Sequence, residues 1–288
     1  MTTLNTLESY AEPGLFTAAG RGTTAALAAL PSTVPDLIVA VQGLLIHEPG
    51  SARSATGHLR TTHQILARLL AADPRPLIEP RPPTQRLSGC CRHFTLLTVA
   101  ALRAHGIPAR ARCGFARYFT PDMYGDHWVV EYWNTLTARW VLADAQLSPE
   151  LREALGITFD ADDVPREQFL VAGDAWIRCR EGRLDPYRCG LEGGGQSGWW
   201  WIAGNLVRDV AALAKMELLP WDVWGAMPGP GEPISDVLAE EFDRIAVTTA
   251  DPDTAAESRA GYDTERFRVP AHVYNFLRRT NEPVIDVI

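Results

Sequence analysis

A helix-forming apolar run from Cys91 to His105 stops at Gly106 and Pro108, and three strand-like runs follow it. Phe94, Leu97 and Leu102, with several alanines and valines, favour a largely buried helix. Glycine just beyond the last turn accepts the left-handed backbone that ends a helix, and proline cannot continue one. Ala109 to Phe119, His127 to Trp133 and Arg139 to Gln146 are rich in valine, tryptophan and tyrosine and read as strands. A polar loop, Thr120 to Asp126, and a turn at Asn134 to Thr137 separate them. A short turn would bring the last two of these strand runs side by side.

At 288 residues the chain is long for one domain and short for two large ones, so one core with helical extensions is expected. Ala18 to Ala29, Pro35 to His47 and Gly57 to Ala72 carry apolar residues at helical spacing. A proline-rich break from Pro74 to Pro83 marks the entry into the core. Ser148 to Asp163 reads as loop with a short helix, Asn205 to Leu219 as a helix, and Ser235 to Val247 as another, capped by Ser235 or Asp236. The expected division is 1–80 as a helical N-terminal extension, 81–175 as the core, and 176–288 as a Trp/Gly-rich extension packed on it.

A formal charge of −8 with scattered arginines offers no basic stripe for a phosphate backbone, so no nucleic-acid partner is expected. Lys215 is the only lysine, a bias that a GC-rich genome produces by itself. Met1 to Gly14 has no basic segment followed by an apolar one, which argues against a signal peptide. The apolar run Val34 to Ile46 is broken by Pro35, Asp36 and Gln42 and falls short of the roughly 20 residues that span a bilayer. A cytoplasmic protein without membrane partners is the expectation. Cys90, Cys91, Cys113, Cys179 and Cys189 are odd in number and lack CxxC spacing, so reduced thiols fit better than a disulfide framework or a zinc site. His58 and His63 stand five apart, off a common helical face, and Gly193 to Gly195 lacks the flanks of a phosphate loop. No metal or cofactor is expected.

The chemistry-bearing residues are Cys91, His127 and Asp144. A thiol at the first turn of a helix faces unsatisfied N–H groups and the positive end of the dipole, which favour its thiolate. The same N–H groups suit the oxyanion of a tetrahedral intermediate. Cys90 competes for the role, although a buried small hydrophobe is its plainer reading. His93 and His105 read as structural or solvent-facing. A symmetric hairpin about Asn134–Thr137 sets His127 opposite Asp144, Val129 opposite Leu142 and Glu131 opposite Trp140. A one-residue slip would put histidine and aspartate on opposite faces.

Gly89-Cys90-Cys91-Arg92-His93-Phe94, Arg103-Ala104-His105-Gly106-Ile107-Pro108-Ala109-Arg110, His127-Trp128-Val129-Val130-Glu131 and Trp140-Val141-Leu142-Ala143-Asp144 occur in that order. Together, over about residues 85 to 147, they resemble the transglutaminase-like superfamily, with its papain-like cysteine core. The resemblance implies an α+β fold with an antiparallel sheet packed on the nucleophile helix, and it assigns the nucleophile to Cys91. His93 stands where the family usually has aspartate. The implied mechanism is attack by the Cys91 thiolate on an acyl carbon, protonation of the leaving amine by His127, and orientation of the imidazole by Asp144.

Resolution of the acyl-enzyme by water makes a peptidase, amidase or deamidase acting on a peptide, protein or small amide; this hydrolytic reading leads. Resolution by an amine acceptor makes an N-acyltransferase or a transglutaminase-type enzyme. A non-catalytic binding module is the third reading. Trp128, Trp133 and Trp140 read first as packing, with Trp128 kept as a substrate-wall candidate. Three adjacent indoles, Trp199 to Trp201, cannot all face one core from a strand, so at least one is expected to be exposed or to line a cleft, and Trp199 and Trp201 are the substrate-facing candidates.

Overall fold

Thr3 starts the first helix: its side chain accepts the N–H of Thr6, and Leu4–Ala11 (α1) follows. The computed structural model describes residues 2–20, 22–48, 50–193 and 195–285, so the readings of Met1 to Gly14, Ala18 to Ala29 and Gly193 to Gly195 each fall in part, at Met1, Arg21 and Gly194, outside the described residues. By contacts the chain forms two units that interleave in sequence.

One unit holds Thr3–Ala111 and Val129–Val164. After α1 come Thr24–Ala28 (α2) and Val34–Leu44 (α3), the latter with Pro35 in its first turn, where the missing N–H is harmless. Leu45–Ile46 (β1) follows, then Thr62–Ala72 (α4), which starts at a capping box between Thr61 and Gln64. Leu87–Ser88 (β2) pairs with β1 in parallel. Cys91–Ala104 (α5) is packed about by α1 to α4, and every side chain from Arg92 to Arg103 on it is buried. The two arginines serve as ties: Arg92 donates to Leu59 O and Arg60 O at 3.3 and 2.5 Å, and Arg103 to Tyr10 O and Ala109 O at 3.2 and 2.9 Å. The helix ends as expected, with Gly106 at φ 70° and Ile107 N–H returning to Leu102 O.

Ala109–Ala116 (β3) and Tyr124–Asn134 (β4) each pass from one unit into the other, and Arg139–Ala143 (β5) pairs antiparallel with β4. Pro149–Leu155 (α6) is capped by Ser148. The ladder differs from the expected register by two residues: Glu131 pairs with Leu142 and Trp133 with Trp140. Asn134 is the cause. Its Oδ1 accepts the N–H groups of Leu136 and Thr137 at 2.9 and 3.2 Å, which makes Asn134 the last strand residue and shifts the loop by one. Ala138 closes it at φ 49°. β5 stops at Ala143, earlier than expected, because Asp144 N–H turns to Ala161 O at 2.7 Å and Val164 N–H takes Leu142 O.

The other unit holds Thr2, Arg112–Trp128 and the chain from Pro165 onward. Phe169–Val171 (β6) pairs antiparallel with β3 and runs into Ala172–Arg180 (α7). Cys189–Gly190 (β7) adds a short parallel pairing to β4. The sheet order is β5-β4-β3-β6, so the fold is mixed α+β with a largely antiparallel sheet. Trp199–Leu213 (α8), Asp222–Val223 (β8), Asp236–Ala250 (α9, capped by Ser235), Arg259–Tyr262 (α10), His272–Asn275 (β9) and Thr280–Pro283 (β10) complete the chain. Helix α8 starts earlier and ends sooner than its sequence suggests, because it begins at the tryptophan triplet, after Gly198 at φ 96°.

Helices α7, α8 and α9 pack together, and at Gly173 a side chain would collide with Thr249, so only glycine allows that approach. Arg112 binds both oxygens of Asp209 at 3.0 and 2.8 Å and Thr249 O at 2.7 Å, which ties β3 to α8 and α9 within this unit. Among the described residues no helix is long and apolar enough to cross a membrane, and no group of three or more His, Cys, Asp or Glu is placed to share a metal ion.

Candidate active site

Cys91 is the first residue of α5 and is half-buried, whereas Cys90, Cys113, Cys179 and Cys189 are buried. Burial pushes the Cys113 thiol well above its ordinary value, and contact with Cys179 together with burial raises that of Cys189. Neither is a ready nucleophile.

Cys90 is different. Burial alone would push its thiol up, but hydrogen bonding from Cys91 and the neighbouring His93 hold it well below its ordinary value. It is the N-cap of α5 and 6 % exposed, with Sγ 3.2 Å from His93 Nδ1. Cys90 N–H also donates to that nitrogen at 3.2 Å. His93 is thus the third-position acceptor of a capping box, the part that a carboxylate at this position would also play. The departure from the family's aspartate leaves the helix start supported.

Asp144 leaves β5 buried, with Oδ1 accepting the N–H of Gln146 at 2.9 Å. From α3, Gln42 Nε2 donates to the next carbonyl, Ala145 O, at 3.1 Å. The carboxylate therefore sits on a braced turn.

His127, on the other unit's portion of β4, is 2 % exposed. Its imidazole meets Phe119, Tyr118 and Phe169 edge-on at centroid distances of 4.8, 6.2 and 6.4 Å. Aromatic walls on several sides hold the ring plane and keep bulk water from it. Sequence reasoning missed these three residues; the adjacent Tyr118 and Phe119 at a strand end were the available signal. Asp126, the preceding residue, binds Asn205 Nδ2 at 2.5 Å. Burial raises its pKa, against the pull of Asn205, Arg208 and His127. Trp201 pulls weakly the same way, although its Nε1 makes no hydrogen bond of normal geometry.

The register that set His127 squarely opposite Asp144 is not the one formed, since Leu142 lies against Glu131. The shift is even, so each β4 side chain keeps its expected face. Trp128 is buried in the core at 1 % exposure. The triplet occupies the first turn of α8, where successive residues point about 100° apart, so the indoles diverge. Trp199 and Trp200 line a pocket in their unit and Trp201 does not.

Residues 66–145 match the model of the transglutaminase-like superfamily. That stretch is a transglutaminase-like core domain. It spans less than a third of the chain and encloses Cys91, His127 and Asp144. Most members of the transglutaminase-like family are cysteine enzymes. No curated protein and no solved structure matches the chain.

Proposed function

We propose that this chain is a thiol-dependent acyl-transfer enzyme in which Cys91 is the nucleophile, His127 the acid–base and Asp144 the group that orients it. The observation that carries the reading is Cys91 itself: inside a transglutaminase-like domain, it is the cysteine left accessible, at the N-terminus of a buried helix. The Cys91 thiolate attacks the carbonyl carbon of an amide or isopeptide bond, and N–H groups at the start of α5 stabilise the oxyanion. His127 hands its proton to the leaving amine, the C–N bond breaks, and a thioester acyl-enzyme remains. Water, deprotonated by the same imidazole, then releases the acid and restores the thiol. The substrate class is a peptide, protein or small amide; an amine in place of water would make the enzyme a transferase. A reducing cytoplasm suits the thiol.

Iodoacetamide labelling of the intact protein near neutral pH, followed by peptide mass mapping, tests the assignment. Cys91 should label fast and alone, and His127→Ala should shift its pH–alkylation curve upward. Fast labelling that survives Cys91→Ala and disappears in Cys90→Ala would move the role to Cys90. Slow, uniform labelling of all five cysteines would leave a binding module instead.

A further inference from the structure

A pocket of about 570 Å³ lies wholly between Trp176 and Ala239, outside the transglutaminase-like domain. Its size falls within the range of about 300–1,000 Å³ usual for small-molecule sites. Four aromatic residues line it: Trp176, Tyr187, Trp199 and Trp200. Trp176 and Trp199 meet edge-to-face at 5.1 Å, and Trp176 Nε1 donates to Asp243 Oδ1 at 2.7 Å, which fixes the ring. Tyr187 is 69 % exposed and lies against Gly198, where an added Cβ would stand 3.1 Å from the ring. A large exposed ring held over glycine offers its other face to whatever enters.

The charges decide what that is. Arg180, Glu232 and Asp236 also line the pocket. Arg180 is already bound by both oxygens of Asp243, at 2.9 Å each, so its charge is matched. Glu232 and Asp236 take part in no ion pair among the described residues. Among the described residues Glu232 Oε2 accepts only the N–H of Gly229, at 2.8 Å, and Asp236 adds its charge to a field in which Arg180 is the one cation of the lining. Trp176 is buried at 1 % exposure and backs the wall, so what remains is the rings of Tyr187, Trp199 and Trp200, electron-rich by their quadrupoles, with two exposed carboxylates that leave the lining net negative. That combination attracts a cation whose apolar substituents make it cheap to desolvate.

We propose that this pocket binds an organic cation of the alkylammonium class, with its charge against the indole and phenol faces and Glu232 and Asp236 completing the field. No residue of this site is Cys91, His127 or Asp144, and the two readings stand or fall separately.

The test is a tryptophan-fluorescence titration of the full chain with acetylcholine and with its neutral carbon isostere, 3,3-dimethylbutyl acetate. The cation should bind saturably and about tenfold tighter than the isostere. Glu232→Gln with Asp236→Asn should weaken the cation several-fold and flatten its salt dependence, and Trp200→Leu should erase the preference over the isostere. Because Glu232 and Asp236 are exposed, the double variant decides even if Trp200→Leu fails to fold. Equal affinity for the two ligands, no saturation by about 10 mM, or undiminished cation binding in the double variant would overturn the proposal.

Discussion

Arg110 Nε donates to Glu131 Oε2 at 2.7 Å, with neither side chain exposed, and the guanidinium lies 3.9 Å from the centroid of Trp140. Three of the four motifs in the transglutaminase-like stretch thus meet at one buried contact. The arginine closes the Gly-Ile-Pro-Ala-Arg run, the glutamate ends the His-Trp-Val-Val-Glu run, and the tryptophan opens the segment that leads to Asp144. Their part is to lock β3, β4 and β5 together.

Breaking this pair from one side strands a charge in the core. Glu131→Gln should cost about 3–5 kcal/mol, while replacing both partners by apolar residues of similar volume should cost much less. Urea unfolding of Glu131→Gln, Arg110→Met and the double variant Arg110→Met with Glu131→Leu measures this. Additive losses in the double variant would count against the pair.

The cap at the start of α5 makes a second prediction. His93→Ala removes the acceptor for Cys90 N–H and should lose about 0.5–2 kcal/mol from the cap, with a cavity term on top. His93→Gln keeps an acceptor at the third helical position and should recover the cap's share. Thermal unfolding compares them, and equal losses would show that the hydrogen bond contributes nothing.

At the β4–β5 turn, Asn134→Ala should destabilise by about 1 kcal/mol, since the N–H groups of Leu136 and Thr137 lose their acceptor. Ala138→Gly relieves a left-handed backbone that costs a residue with a Cβ about 1–2 kcal/mol, so it should be neutral or stabilising despite a looser unfolded chain. A marked loss in Ala138→Gly, seen by denaturant midpoint, would contradict the turn as described.

Asp126 predicts a pH dependence. The residue is half-buried, but its carboxyl end is enclosed, and burial raises its pKa above the ordinary 3.8 against the pull of Asn205, Arg208 and His127. Between these two values the native state holds a proton that the unfolded chain has released. Stability therefore falls as pH rises through that window. Asp126→Asn keeps an oxygen for Asn205 and should flatten the melting temperature across it. A variant profile parallel to the parent's would sink the assignment.

What could be read from the residues alone was whatever depends on neighbours in the chain. The helix from Cys91, its stop at Gly106, the strand runs, the Ser148 and Ser235 regions and the four ordered motifs all rest on local propensity, capping and spacing. The β4–β5 register was misread by two residues because a single side chain, Asn134, chose where the turn begins. The Trp199–Trp201 run reads as a problem on a strand and resolves on a helix, whose turn spreads three indoles apart. Nothing local could announce that Arg110 belongs with Glu131 and Trp140, that Phe119 and Phe169 wall the His127 ring, or that Trp176 and Asp236 share a pocket. Those relations join residues distant in number, and only the energy of burying them together, which exists once the chain has folded, selects one set of partners over the rest.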